Sequence, residues 1–282
     1  MMNLTTKSAK NIQIQSPTGR PILLDYYYEE NQQPKAIVIF CHGFKGFKDW
    51  GHFNLMAEKF AEAGFCFIKF NFSHNGTTVD HPDEFHDLNG FALNNFSKEL
   101  DDLDAVTNWA ENNLPAEEIN KSEIYLIGHS RGGGIAILKA AEDPKVKKVV
   151  TWAAVSDFEK VVNPKNLDEW REKGIIYFEN SRTHQQMPVD FQLYDDYYFN
   201  EERLNVKSAI KKLKIPVLLV HGGADEILKP EHAEKLKHWN ESAEYLLIEK
   251  GDHTFGVSHP FNQQLPADAE KVIDETIHFL NK

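Results

Sequence analysis

Ile124-Tyr125-Leu126-Ile127-Gly128-His129-Ser130-Arg131-Gly132-Gly133 is the stretch on which the reading of this chain turns. An apolar, strand-like segment runs into Gly-x-Ser-x-Gly and on into a helix-like segment, Gly132–Glu142. A serine at the tip of a tight strand-to-helix turn takes a strained backbone conformation. Side chains two residues to either side would collide there, so both positions call for glycine. A serine hydroxyl is a weak nucleophile at neutral pH. It needs a base within hydrogen-bond reach and a further group that orients the base.

Both partners should sit on other loops at the same edge of a sheet. His253, in Lys250-Gly251-Asp252-His253-Thr254-Phe255, lies between the last strand pattern and the last helix pattern and is the expected base. Asp225, in His221-Gly222-Gly223-Ala224-Asp225, follows the preceding strand pattern and is the expected orienting group. Glu226 is its nearest rival, with Asp157 and Asp252 weaker ones. His129 should point away from the serine on the turn, and His221, ending a strand, should shape its loop. A tetrahedral intermediate also needs donors for its oxyanion. One is expected at the backbone N–H after the nucleophile, on Arg131. The other is expected at Phe44, in the glycine-containing loop Phe40-Cys41-His42-Gly43-Phe44-Lys45-Gly46-Phe47.

Outward from these loops, the chain alternates strand and helix patterns. Asn11–Gln15 and Pro21–Tyr28 flank a Pro17-Thr18-Gly19 turn and read as a hairpin. Continuous apolar runs at Lys35–Cys41, Phe65–Phe72, Glu123–Ile127, Val146–Ala154, Ile215–His221 and Ala243–Ile248 read as buried strands. Helical spacing appears at Phe53–Ala63, Asn95–Asn113, Gly132–Glu142, Pro230–Trp239 and Ala267–Leu280. The fold class is therefore α/β, a mostly parallel central sheet flanked by helices. The alternation stops over Asp157–Ser208, a polar, aromatic and poorly periodic segment too long for an ordinary loop. It reads as a cap inserted between the sixth and seventh strands of one domain spanning 1–282. Within it, Tyr194, Tyr197 and Tyr198 either line a substrate pocket or form the insert's own small core.

Composition narrows the partners. The chain has 282 residues, 41% of them hydrophobic, and a net charge of −12. That balance excludes sequence-independent nucleic-acid binding and docking on anionic membranes. Cys41 and Cys66 sit in apolar runs and read as buried small hydrophobes. Met1–Asn11 lacks the apolar core of a signal peptide, and no run approaches a membrane span. A soluble, cytoplasmic protein in a reducing compartment is expected. His81-Pro82-Asp83-Glu84-Phe85-His86-Asp87 lacks helical His-Glu-x-x-His spacing and reads as a solvated loop, so no metal and no cofactor are expected. Composition and motifs leave the oligomeric state open.

His42-Gly43, Gly128-His129-Ser130-Arg131-Gly132, His221-Gly222 with Asp225, and Gly251-Asp252-His253 together make the chain resemble the α/β-hydrolase superfamily, from about Lys35 to the C-terminus. Within it, the chain is similar to bacterial feruloyl/cinnamoyl-type esterases and to acyl-peptidase-like serine hydrolases. The resemblance implies an insert at the position of Asp157–Ser208 and a glycine-containing loop after the fourth strand, here Asn71–Gly76. That loop departs from the superfamily's Asp/Arg-Gly wording, so no role passes to His74. The implied activity is hydrolysis of a small-molecule carboxylic ester through an acyl-enzyme on a Ser130–His253–Asp225 triad. An acylaminoacyl-peptidase or other amide hydrolase would use the same triad. A non-catalytic ligand-binding protein on this fold would usually lack the nucleophile or base, and both are present.

Overall fold

The apolar runs do become strands, and they meet in one eight-stranded sheet. A computed structural model describes residues 5–282. In chain order the elements are β1 (Thr5–Gln15), β2 (Pro21–Glu30), β3 (Lys35–Cys41), α1 (Phe53–Glu62), β4 (Cys66–Asn71), α2 (Leu88–Ala92), α3 (Phe96–Asn113), β5 (Ile119–His129), α4 (Arg131–Glu142) and β6 (Val146–Trp152). Then come α5 (Glu159–Val162), α6 (Leu167–Lys173), β7 (Ile175–Glu179), β8 (Gln186–Asp190), α7 (Gln192–Phe199) and α8 (Val206–Lys212). The chain closes with β9 (Val217–Gly222), α9 (Glu231–Trp239), β10 (Glu244–Ile248) and α10 (Ala267–Asn281). The sheet order is β1-β2-β4-β3-β5-β6-β9-β10. β1, β2 and β4 pair antiparallel, and every pairing from β4 to β10 is parallel. The expectation about Met1–Asn11 falls partly outside the described residues. Among the described residues no helix is long and apolar enough to cross a membrane.

Sequence chemistry explains the layers. β3 and β4 are buried at every position, as strands covered on both faces must be. Phe53, Met56 and Phe60 of α1 join Val272, Ile273 and Phe279 of α10 on one face. Leu100, Leu103 and Val106 of α3 join Ile135, Ile137 and Leu138 of α4 on the other. Each such side chain contributes about 1.5–3 kcal/mol when fully buried. Asn95 caps α3 by accepting a hydrogen bond from the Lys98 N–H, which satisfies one of the first-turn donors.

Two strands carry charge into this apolar setting. Asp25 on β2 and Lys69 on β4 are fully buried, and the Asp25 carboxylate also accepts from the Lys48 ammonium at 2.9 Å. Asp49 bonds both lysines and closes a four-charge ring. Buried charges persist only when paired, so the ring ties the loop after β3 to β2 and β4.

The segment between β6 and β9 is more regular than its sequence suggests. It holds α5 to α8 and an antiparallel β7–β8 hairpin. Trp170 of α6 is buried and donates its indole N–H to the Val189 carbonyl of β8 at 3.0 Å. α2 is another element that the sequence pattern did not reveal. Asp87 caps it through the Gly90 N–H.

Candidate active site

The parallel strands point their C-terminal ends to one edge, where α/β sheets usually present ligand sites. Four loops meet there: the loop after β3 with Phe44, the β5–α4 turn with Ser130, the loop after β9 with Asp225, and the loop after β10 with His253.

Ser130 has φ +56° and ψ −119°, a strained conformation for a residue with a Cβ. The turn tolerates it because Gly128 and Gly132 touch. A Cβ on Gly128 would run into the Gly132 carbonyl, and one on Gly132 into the carbonyls of Cys41 and His42. The loop after β3 passes equally close, since a Cβ on Gly43 would lie 2.9 Å from the Ser130 Cβ. That approach places Phe44 beside the Ser130 turn. Among the described residues no group accepts a hydrogen bond from the Phe44 N–H. Arg131 begins α4, so its N–H belongs to the first helical turn, which lacks intrahelical acceptors.

The structure brings the three expected residues together. Ser130 Oγ lies 3.1 Å from His253 Nε2, and His253 Nδ1 lies 2.8 Å from Asp225 Oδ2. Asp225 Oδ1 accepts from the backbone N–H groups of Ile227 and Leu228, both at 2.9 Å. Burial works against ionisation of Asp225. The side-chain bonds from His221 and His253 and the Leu228 N–H outweigh it and hold the carboxyl well below the usual range. The rivals stay apart from this array. Asp252 accepts from the N–H groups of Thr254 and Gly256 and so shapes the histidine loop. Asp157 caps the Glu159 N–H.

Three histidines support the array. His221 donates from Nε2 to the Leu228 carbonyl at 2.7 Å and so closes the Asp225 loop, as expected of a loop-shaping residue. His129 does more than turn aside: its Nε2–H donates to the His253 carbonyl at 2.8 Å and fixes the His253 loop. His42 donates from Nδ1 to the Gly43 carbonyl at 2.9 Å and stiffens the loop that carries Phe44. Replacing His129 by leucine leaves the His253 carbonyl without its donor. The expected result is about a tenfold loss of kcat and about 1–3 kcal/mol of stability, checked by steady-state kinetics and urea melts.

Burial keeps the rings of His42, His52 and His129 neutral. It lowers His42 to about 4, His52 to about 4 and His129 to about 3. In the unfolded chain the same rings take up protons near about pH 6.5. Between those values the unfolded state binds more protons, so stability falls as pH drops through the window. Urea midpoints measured from pH 7 to pH 4 should fall continuously, and His52→Leu should flatten the profile.

Arg131 and Glu99 form a pair that the sequence does not announce. The Arg131 guanidinium lies 4.4 Å from the Phe44 ring centre and 5.2 Å from that of Phe96, and approaches Glu99 Oε1 at 3.4 Å. Glu99 lies on the buried face of α3, at helical spacing from Leu103 and Val106, and only the fold shows that Arg131 is its partner.

A cavity of about 750 Å³ opens over Ser130 and His253. Its far wall comes from the segment between β6 and β9, including Trp170, Ile176, Phe178, Val189 and Leu193. Tyr194, Tyr197 and Tyr198 are not on that wall. Tyr197 is buried in the core, Tyr194 stacks on Phe191 at 4.8 Å, and the Tyr198 hydroxyl accepts from Asn163 at 2.9 Å. The α7 helix turns them away from the cavity and presents Leu193 instead. His81, Glu84 and His86 do cluster, with ligand atoms within 4.8 Å of one another, but all three are exposed and off the cavity wall.

The chain belongs to the α/β-hydrolase family, whose model, described as the alpha/beta hydrolase fold, matches residues 36–201. Among individual proteins it is similar to an uncharacterized 31.7 kDa protein of the traX-finO intergenic region of Escherichia coli. The two are 26% identical over 264 residues, covering 82% of this chain and 87% of that protein. It is also 26% identical over 159 residues to Lipase 3 of Moraxella sp. (strain TA144), covering 47% of this chain and 50% of the lipase. Among solved structures, Est1E from Butyrivibrio proteoclasticus with ferulic acid bound superposes with a TM-score of 0.73 at 19% identity, covering 96% of this chain and 98% of that one. The esterase domain of a Rhodothermus marinus protein gives 0.65 at 19% identity, covering 98% and 97%.

Proposed function

We propose that this chain is a serine hydrolase that cleaves carboxylic esters through an acyl-enzyme. The observation that carries the reading is the relay of contacts Ser130 Oγ–His253 Nε2 and His253 Nδ1–Asp225 Oδ2, at 3.1 Å and 2.8 Å, with Ser130 and His253 lining a cavity. The named lipase and esterases among its relatives support the same bond type.

Ser130 Oγ attacks the ester carbonyl while His253 Nε2 takes its proton. Asp225 accepts from Nδ1–H, keeps the imidazole in the required tautomer and stabilises its cation. The N–H groups of Phe44 and Arg131 receive the oxyanion. Removing one such donor typically costs about 2.7–4 kcal/mol in the transition state. His253 then gives its proton to the leaving alcohol. Water attacks the acyl-enzyme with His253 again as base, releasing the acid and restoring Ser130. The segment between β6 and β9 serves as a cap whose inner face binds the apolar part of the substrate.

A fluorophosphonate reagent tests the nucleophile directly. It should add covalently to the tryptic peptide that holds Ser130, read by mass. A protein that hydrolyses no short 4-nitrophenyl ester and takes no label at Ser130 is not the enzyme described here.

A further inference from the structure

The cavity wall contains Lys45, Arg131, Lys160 and Arg182 and not one aspartate or glutamate. This is notable in a chain of net charge −12, which as a whole repels anions. The rest of the wall is mainly apolar, with Trp50, Val155, Trp170, Phe178 and Leu193 among its side chains.

The four cations are not equivalent. Arg131 is already engaged, held between two phenylalanine rings and Glu99. Lys45, Lys160 and Arg182 form no ion pair among the described residues. Two of them converge on the β7–β8 hairpin. The Lys45 ammonium donates to the Glu179 carbonyl at 3.0 Å, at the end of β7. Arg182 stands on the turn itself, its backbone N–H accepted by Oδ1 of the buried Asn180 at 3.2 Å, and its side chain joins the cavity wall. The nearest carboxylates, Glu179 and Glu84, are exposed and lie off the cavity wall, where each is hydrogen-bonded to a histidine. Burial lowers the Lys45 pKa, against the pull of Glu179, so its charge is costly where it stands. A half-buried ammonium whose nearest acceptor is a neutral carbonyl gains most from an anion brought in with the ligand.

We propose that the natural substrate carries a carboxylate or comparable anionic group on an apolar body, received at the hairpin end of the cavity by Lys45 and Arg182. This substrate class presupposes the hydrolytic triad of the preceding section. The anion binds remote from the scissile bond. Hydrolysis itself is unchanged, with water consumed and an acid and an alcohol released.

Two matched ester pairs provide the test, each differing only in one charge. For an anion on the acyl side, the mono-4-nitrophenyl ester of suberic acid is compared with its methyl-capped counterpart. For an anion on the leaving side, the hexanoate ester of 3-(4-hydroxyphenyl)propanoic acid is compared with its methyl ester. The ratio of kcat/KM, charged over capped, is measured within each protein, so losses of folding or general activity cancel. At least one pair should show a ratio of about tenfold or more. That ratio should fall toward one in the Lys45→Gln/Arg182→Gln double variant, and in wild-type protein at about 0.5 M salt, where exposed charges are screened. Both wild-type ratios at or below one overturn the proposal while leaving the triad intact. A double variant that keeps the wild-type ratio does the same. No turnover of any ester, with Ser130 unlabelled by fluorophosphonate, removes the hydrolase reading and the substrate class with it.

Discussion

Ser130→Ala should lower kcat for a short 4-nitrophenyl ester by on the order of 10⁶-fold, with KM little changed. The hydroxyl oxygen is the only atom lost. Alanine keeps the Cβ, so the contact with Gly43 and the β5–α4 turn remain as they are. The backbone strain at φ +56° also remains, because it does not depend on Oγ. The variant should therefore melt within about 1 kcal/mol of wild type, the range of a conservative change with no cavity. Any residual rate comes from the oxyanion donors and from binding alone. Kinetics and thermal melts on the same preparation check both halves. An active Ser130→Ala protein would move the nucleophile elsewhere.

Asp225→Asn should cost about 10⁴-fold in kcat, and the hydrogen-bond pattern says why. Asp225 Oδ1 accepts two backbone N–H groups, from Ile227 and Leu228. Only an oxygen satisfies that position, so the new amide must place its oxygen there. Its NH₂ then occupies the Oδ2 position, 2.8 Å from His253 Nδ1. A donor facing Nδ1 draws the imidazole proton to Nε2. Nε2–H then faces Ser130 Oγ and cannot accept its proton. The wrong tautomer, rather than a displaced ring, is the expected defect. Nitrogen chemical shifts of the labelled imidazole should show the proton on Nε2 in the variant and on Nδ1 in wild type. A variant within tenfold of wild-type kcat would remove Asp225 from the mechanism.

Much of this is legible in the sequence alone. The apolar runs at Lys35–Cys41 and Val146–Ala154 became β3 and β6 because a strand buried on both faces needs no partner to announce itself. Ser130, Asp225 and His253 were readable through their loops: glycine marks where backbone must approach backbone, and strand order puts those loops at one edge. The insert was harder. Its helices are short and its aromatics are divided between two surfaces, so no period separated Leu193 on the cavity wall from Tyr194, Tyr197 and Tyr198 off it. His129 was assigned a direction but no task, since its acceptor is a main-chain carbonyl 124 residues away. The ring of Asp25, Lys48, Asp49 and Lys69 has no counterpart in the sequence reading, because its members come from separate segments that only the fold brings together.

The segment between β6 and β9 has no core of its own. Val162, Trp170, Ile176, Met187 and Leu193 belong to the same continuous apolar cluster as Leu126 of β5 and Ile135 of α4. Gln192 further stitches it to Asn94 and Asn95 at 2.9 Å and 2.7 Å. Swinging it away as a rigid flap would tear open the main hydrophobic interior, at a cost of many buried side chains. The far wall of the cavity is therefore fixed in place. A ligand then has to fit the space as it stands, and the wall resembles a gauge more than a jaw.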